Sequence, residues 1–154
     1  MLLIDALRAG GWPESELGNA LGIVSHESSG NPTAHNPGTA AVPEDSWGLF
    51  QINRQAHSYS IEQLCDPVFN ATVAYQLFMA AGSYRDWYYS AQALGVAPFG
   101  SAQHSISEFQ ALANVDVGGG AGTQPSGPTI GGQPVLPIIL GVLGVLILLD
   151  LLTS

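Results

Sequence analysis

From Val117 to Pro134 the chain is mostly Gly, Pro, Ser, Thr and Gln, and it carries no charge. Such a segment buries too little apolar surface to offset the entropy of ordering its backbone, so it reads as a flexible linker. This break constrains the rest of the chain. Whatever folds must fold within residues 1–116, which hold every aromatic and all but one of the Asp, Glu, Lys and Arg residues. That length suits one compact domain with a modest core. Beyond the break, Val135 to Leu149 is an apolar run of 15 residues, or 18 through Leu152 with Asp150 inside it. A helix needs roughly 20 residues to cross a bilayer, with about 17 as the lower limit. The expected arrangement is therefore a domain at 1–116, a linker at 117–134 and a C-terminal apolar helix at 135–152. That helix would anchor the chain in a lipid membrane, or self-associate within a protein assembly. With no Lys or Arg nearby, the tail offers no signal of orientation.

The charge balance narrows the partners. The formal net charge is −9, Lys is absent and only three Lys or Arg residues occur in all. Nucleic-acid binding needs a basic stripe against the phosphates, and this chain has none to offer. An acidic chain is also a poor ligand for anionic head groups, so recognition rests on hydrogen bonds and shape. The single cysteine, Cys65, excludes an intrachain disulfide and reads as a small buried residue ahead of a helix. The N-terminal residues lack a basic stretch and do not read as a signal peptide.

Within 1–116 the pattern is mainly helical. Residues 2–9 read as a helix. A second is expected from near Pro13 to about Ser28, with Pro13 in its first turn, Glu14 and Glu16 favourable to its dipole and Gly30 as its stop. Leu17, Ala20, Leu21 and Val24 follow helical spacing and form one buried stripe. Residues 29–46 read as a long loop, and Gly48–Asn53 as a short extended or turn segment. Asp66 caps the next helix, Pro67 takes its first position and Gly82 lies past its end. An aromatic helix from Trp87 to about Leu94 follows, and Ser105 with Glu108 forms a capping box for a last short helix to about Ala113. Strand signal is scarce, so at most a small sheet is expected near Gly48–Asn53.

Glu27 is the first candidate for chemistry. It lies seven residues after Ala20, at the edge of the apolar stripe and in the last helical turn. Apolar surroundings and the negative end of the helix dipole both disfavour its charged form, which is what a general acid at neutral pH requires. Periodicity alone reads more readily as an ordinary rim residue pointing to solvent. His26 and Glu27 would need a second His at position 30 to make a zinc-protease pair, and that position is Gly30. His35, His57 and His104 show no tight ligand spacing either, so neither a metal nor a cofactor is expected. Asp45 is a second carboxylate within plausible reach, since glycoside cleavage often uses a carboxylate pair. Trp12, Trp47, Trp87, Tyr84, Tyr88 and Tyr89 are divided between core and cleft in this reading, because sugar faces pack on aromatic rings. On an extended segment Gln51 and Asn53 would share one face and present amides to a sugar. Asn70, Ala71 and Thr72 match a glycosylation sequon but fall in the first turns of a helix.

Four blocks resemble a known family. His26-Glu27-Ser28-Ser29-Gly30-Asn31-Pro32 is similar to the Glu-Ser-x-x-Asn-Pro block of soluble-lytic-transglycosylase-like domains. Ser46-Trp47-Gly48-Leu49-Phe50-Gln51-Ile52-Asn53 resembles their Gly-Leu-hydrophobic-Gln block and the matching segment of animal lysozymes. Asp66 and Pro67 followed by Asn70 and Ala71 resemble the helix that follows the cleft. Ser83-Tyr84-Arg85-Asp86-Trp87 is similar to the Trp-containing turn of actinobacterial and phage lysozyme-like domains. The blocks occur in order, about 20 residues apart, and cover roughly residues 10–95.

The resemblance implies a lysozyme-like fold, α+β with a minimal sheet, acting on the glycan strands of bacterial peptidoglycan. Glu27 matches the catalytic glutamate, Gln51 and Ser46 match residues that hold the sugar at the cut, and Asn70 matches a structural Asn. Asn53, His57, Trp87 and Tyr88 are further expected substrate-binding residues. Animal lysozymes carry an Asp two residues before the Gly. Here Ser46 stands there, as in lytic transglycosylases, and the family's Ala-Tyr-Asn-Ala-Gly block is replaced by Ser90-Ala91-Gln92-Ala93-Leu94. A lyase and a hydrolase assisted by Asp45 both stay open. The architecture suggests a wall-cutting enzyme carried in a phage virion beside other virion proteins, with a non-catalytic glycan binder or a structural virion membrane protein as the alternatives.

Overall fold

A computed structural model describes residues 1–118 and the backbone of two short segments at 129–130 and 133–134. The domain comprises helices α1 (Leu3–Ala9), α2 (Leu17–Glu27), α3 (Ile61–Cys65), α4 (Pro67–Ala81), α5 (Tyr88–Leu94) and α6 (Gln110–Ala113) and a small antiparallel sheet between α2 and α3 in the chain. Its strands β1 (His35–Gly38), β2 (Pro43–Trp47) and β3 (Ile52–Asn53) lie in that order. The expectation of a mainly helical α+β domain with a minimal sheet holds.

The punctuation around α4 acts as the sequence implies. The Asp66 side chain accepts from Phe69 N at 2.8 Å, Pro67 occupies the first turn, and Gly82 ends the helix at φ +67°. Helix α2 begins later than expected. Pro13–Glu16 is a turn closed by Glu16 N to Pro13 O at 2.9 Å. The Glu16 carboxylate is drawn into tertiary contacts, accepting from Tyr84 Oη at 2.7 Å and Asn19 Nδ2 at 3.2 Å, and makes no cap of its own. The stripe Leu17, Ala20, Leu21, Val24 is fully buried. A Cβ at Gly18 would strike the His104 carbonyl, so this helical glycine marks where the C-terminal part of the domain crosses α2.

Four further points depart from or add to the expectations. Residues 29–46 are not simply a loop, because they contain β1 and most of β2. Strand β1 reads His35-Asn36-Pro37-Gly38 and is largely exposed, so it carries no alternation to read. Helix α3 has a capping box that went unread: Ser60 Oγ accepts from Gln63 N at 3.1 Å and Gln63 Oε1 accepts from Ser60 N at 2.9 Å. Cys65 ends this helix half-buried rather than fully buried, because its neighbour Leu64 takes the inward-facing position. The aromatic segment starts as a 3-10 turn, Arg85–Trp87, before α5.

The core centres on Trp12, which stacks on Phe50 at 5.4 Å and donates Nε1 to Ala71 O at 3.0 Å. Trp87 donates Nε1 to Phe50 O at 2.8 Å. Both indoles thus find the hydrogen-bond partner a buried indole needs. Val117, the first residue of the segment read as linker, is buried and donates its N–H to Met1 O at 3.1 Å. Within that segment, β4 (Thr129–Ile130) pairs antiparallel with β5 (Gln133–Pro134). The apolar stretch 135–152 lies outside the described residues. Among the described residues, no helix is long and apolar enough to cross a membrane.

Candidate functional site

The sheet sorts the candidate residues by face. Asn36 stands opposite Ser46, and Ser46 opposite Asn53, so these three polar side chains form a row across one face. Alternation along β2 adds Glu44 to that face and turns Asp45 to the other, where His35 and Trp47 lie. There the Asp45 carboxylate accepts from Trp47 Nε1 at 2.6 Å and Arg54 Nη1 at 2.8 Å, with His35 Nε2 at 3.1 Å. The Trp47 hydrogen bond, then Arg54 and His35, hold its pKa below the usual range. His35 stacks on Trp47 with ring centres 3.9 Å apart. The structure therefore assigns Asp45 to fastening the hairpin and does not bring it to the cleft.

Ser46, Gln51, Asn53, His57 and Trp87 line one cleft of ≈ 250 Å³, which Glu44, Ile52, Leu77 and Asp86 complete. Tyr88 does not line it. Half-exposed at the start of α5, it packs edge-on against Tyr89 and Phe99. Gln51 arrives by a different route from the one expected. Of the two forms expected for this segment, Gly48–Gln51 takes the turn, and Gln51 sits in the left-handed region at φ +50°. That conformation is costly for a residue with a side chain and persists where surrounding bonds enforce it. Here the Gln51 amide donates to Ala34 O at 3.1 Å and Gly48 O at 2.9 Å, so it locks the cleft wall.

Asn70 supports the same turn from beneath. It is fully buried, accepts from Phe50 N at 2.8 Å, and donates to Trp47 O and Leu64 O at 3.0 Å each. Gly48 at φ +81° makes that approach possible, since a Cβ there would collide with Leu64 O and Asn70 Nδ2. Ser28 Oγ donates to Leu49 O at 2.8 Å and ties the end of α2 to the turn.

Glu27 is the last residue of α2 and is half-buried. Its Oε1 accepts from Ser90 Oγ at 2.5 Å. Burial raises its pKa above the usual glutamate range. The Ser90 hydrogen bond opposes that shift, the Glu44 carboxylate adds to it, and His26 opposes it. Glu27 does not itself line the ≈ 250 Å³ cleft. It is linked to the cleft by Glu44, whose charge acts on it, and by Trp87, whose turn runs directly into α5 and Ser90. A carboxyl whose pKa is raised by burial beside a polar groove is suited to deliver a proton to a substrate oxygen.

Two residues of this constellation escaped the sequence reading. Glu44 was legible in principle, because strand alternation from Ser46 leads to it. Ser90 gave no local signal, since its role depends on α5 packing against the end of α2. Among the described residues, no group of three or more His, Cys, Asp or Glu is arranged to hold a metal ion.

The family model described as a lysozyme-like domain matches residues 5–88, just over half of the 154-residue chain. The match contains Glu27, Glu44, the whole sheet and Trp87, and stops just short of Ser90. No curated protein matches the chain. The chain belongs to the lysozyme-like domain family, whose members typically cleave glycans.

Proposed function

We propose that this domain cleaves the β-1,4 bond between N-acetylmuramic acid and N-acetylglucosamine in peptidoglycan, with Glu27 as general acid and then base. The observation that carries the reading is Glu27 itself: a half-buried carboxyl, its pKa pushed up by burial and its Oε1 fixed by Ser90, near a cleft lined by Ser46, Gln51 and Asn53. Ser46, where animal lysozymes carry Asp, favours the lyase outcome. Glu27 protonates the glycosidic oxygen, then accepts the proton of the muramyl C6 hydroxyl as that oxygen closes a 1,6-anhydro ring. The hydrolytic alternative with Asp45 is disfavoured, because three donors hold that carboxylate on the opposite face of the sheet. We further propose that residues 135–152 tether the enzyme to a membrane and that it serves as a virion-borne wall cutter. The support is the apolar run and the charge-free segment before it.

Mass spectrometry of fragments from purified peptidoglycan tests the reaction. Anhydro-muramyl ends are expected. Reducing muramyl ends throughout would establish a hydrolase. Unaltered glycan that nonetheless binds the protein would establish a binding module.

A further inference from the structure

Strand β2 brings a carboxylate to the cleft two residues ahead of Ser46, and that carboxylate is oriented through both oxygens. Ser46 Oγ donates to Glu44 Oε1 at 2.6 Å, and Asn36 Nδ2 donates to Glu44 Oε2 at 2.9 Å. The two donors face each other across the hairpin, so the sheet register sets the geometry. Both are uncharged. Among the described residues no Arg, His or terminal amine forms an ion pair with Glu44, whereas its neighbour Asp45 is paired with Arg54 and His35. Glu44 lines the cleft, and its charge reaches Glu27. Such a carboxylate is pre-organised to act on a charge that appears in the cleft.

We propose that Glu44 is the second catalytic carboxylate of this site, placed to stabilise the positive charge that develops on the sugar ring as the glycosidic bond breaks. This rests on the glycan-cleaving reading above. Glycoside cleavage passes through an oxocarbenium-like transition state, commonly flanked by two carboxyl groups. Glu27 gives its proton to the glycosidic oxygen. The bond from C1 to that oxygen breaks, its electron pair leaves with the oxygen, and C1 and the ring oxygen share the positive charge facing Glu44. The attacking hydroxyl, that of muramyl C6 or of water, then bonds to C1 and passes its proton to Glu27. Glu44 exchanges no proton and serves either attack. Ser46 and Asn36 are positioning residues that act through it.

The groups that bear on Glu27 are Ser90 from α5, His26 on its own helix and Glu44 from β2, and this makes the proposal separable from a structural role. In the full chain, Glu44→Gln should lower kcat by about 10² to 10³ with KM little changed, as loss of an electrostatic stabiliser does. It should also move the alkaline fall of kcat/KM to lower pH, because the charge that raises the Glu27 pKa is gone. Wild-type kcat in Glu44→Gln, alongside an inactive Glu27→Gln, would overturn the proposal and leave the glycan-cleaving reading standing. A fall in kcat with the alkaline limb unmoved would also overturn it, since a distorted cleft does that. A wild-type chain that cuts no glycan removes both. Should Glu44→Gln fail to fold, Ser46→Ala decides. It frees the carboxylate from one donor while keeping its charge, so a lower kcat with the wild-type limb is expected, and an unchanged kcat overturns the proposal.

Discussion

Replacing Asn70 tests how the cleft wall is held. Its side chain is fully buried and satisfies three backbone groups at once: the N–H of Phe50 and the carbonyls of Trp47 and Leu64. Asn70→Ala strands all three. A buried polar group left without a partner costs about 1–3 kcal/mol. A water entering the small space vacated recovers part of that. A net loss of about 3–5 kcal/mol follows, which is a large share of the roughly 5–15 kcal/mol typical of a domain. For a domain of this size that corresponds to a fall in Tm of roughly 15 °C, measured by circular dichroism on heating. Asn70→Asp sharpens the test. It keeps an acceptor for Phe50 N but sets a carboxylate against two carbonyl oxygens, so it should destabilise at least as much as Ala. A loss below about 1 kcal/mol for Asn70→Ala would fall within the worth of one ordinary hydrogen bond and would mean that Asn70 does not hold the turn. So would an Asp variant clearly more stable than the Ala variant.

The raised pKa of Glu27 has two consequences. Cleavage should fall as pH rises through that value, because the acid form is lost, and kcat/KM against pH reads this directly. Stability runs in the same direction. A glutamate whose folded pKa lies above its unfolded one contributes stability that is fully present below the unfolded value and lost as pH rises through the folded value. Glu27→Gln should therefore match the wild type in acid and gain on it at neutral pH, in parallel denaturant titrations. Chain ends give a further test: ending the chain at Gly118 keeps the Val117 contact with Met1, so it should retain the thermal midpoint and the cleavage rate. The full chain alone should float with liposomes. Flotation of the shortened chain would place the membrane contact in the domain.

Much of this fold was legible in the sequence where single residues carry a strong local preference. Asp66, Pro67 and Gly82 bounded α4, and the spacing of Leu17, Ala20, Leu21 and Val24 placed the buried face of α2. The hairpin was not legible. Strand β1 contains Pro and Gly and is mostly exposed, so its pairing is decided by Asn36 and His35 meeting residues ten and twelve positions away. That miss propagated into the site. With residues 29–46 read as a loop, nothing distinguished Asp45 from Glu44, whereas strand alternation sends one to Arg54 and the other to the cleft. Glu27 stood out as a candidate through its place on the helix together with the resemblance of the block around it. Its partner Ser90 lies 63 residues away and is brought there only by tertiary packing.

Whether Glu27 is the acid that breaks the glycan is decided by comparing wild type with Glu27→Gln on purified peptidoglycan. Soluble muramyl fragments are quantified by mass spectrometry, binding by co-sedimentation, and the fold by circular dichroism. The variant should fold and bind the glycan as the wild type does, while fragment release falls by about 10² to 10⁴, the usual contribution of a general acid. Fragment release by Glu27→Gln at the wild-type rate would contradict this role for Glu27.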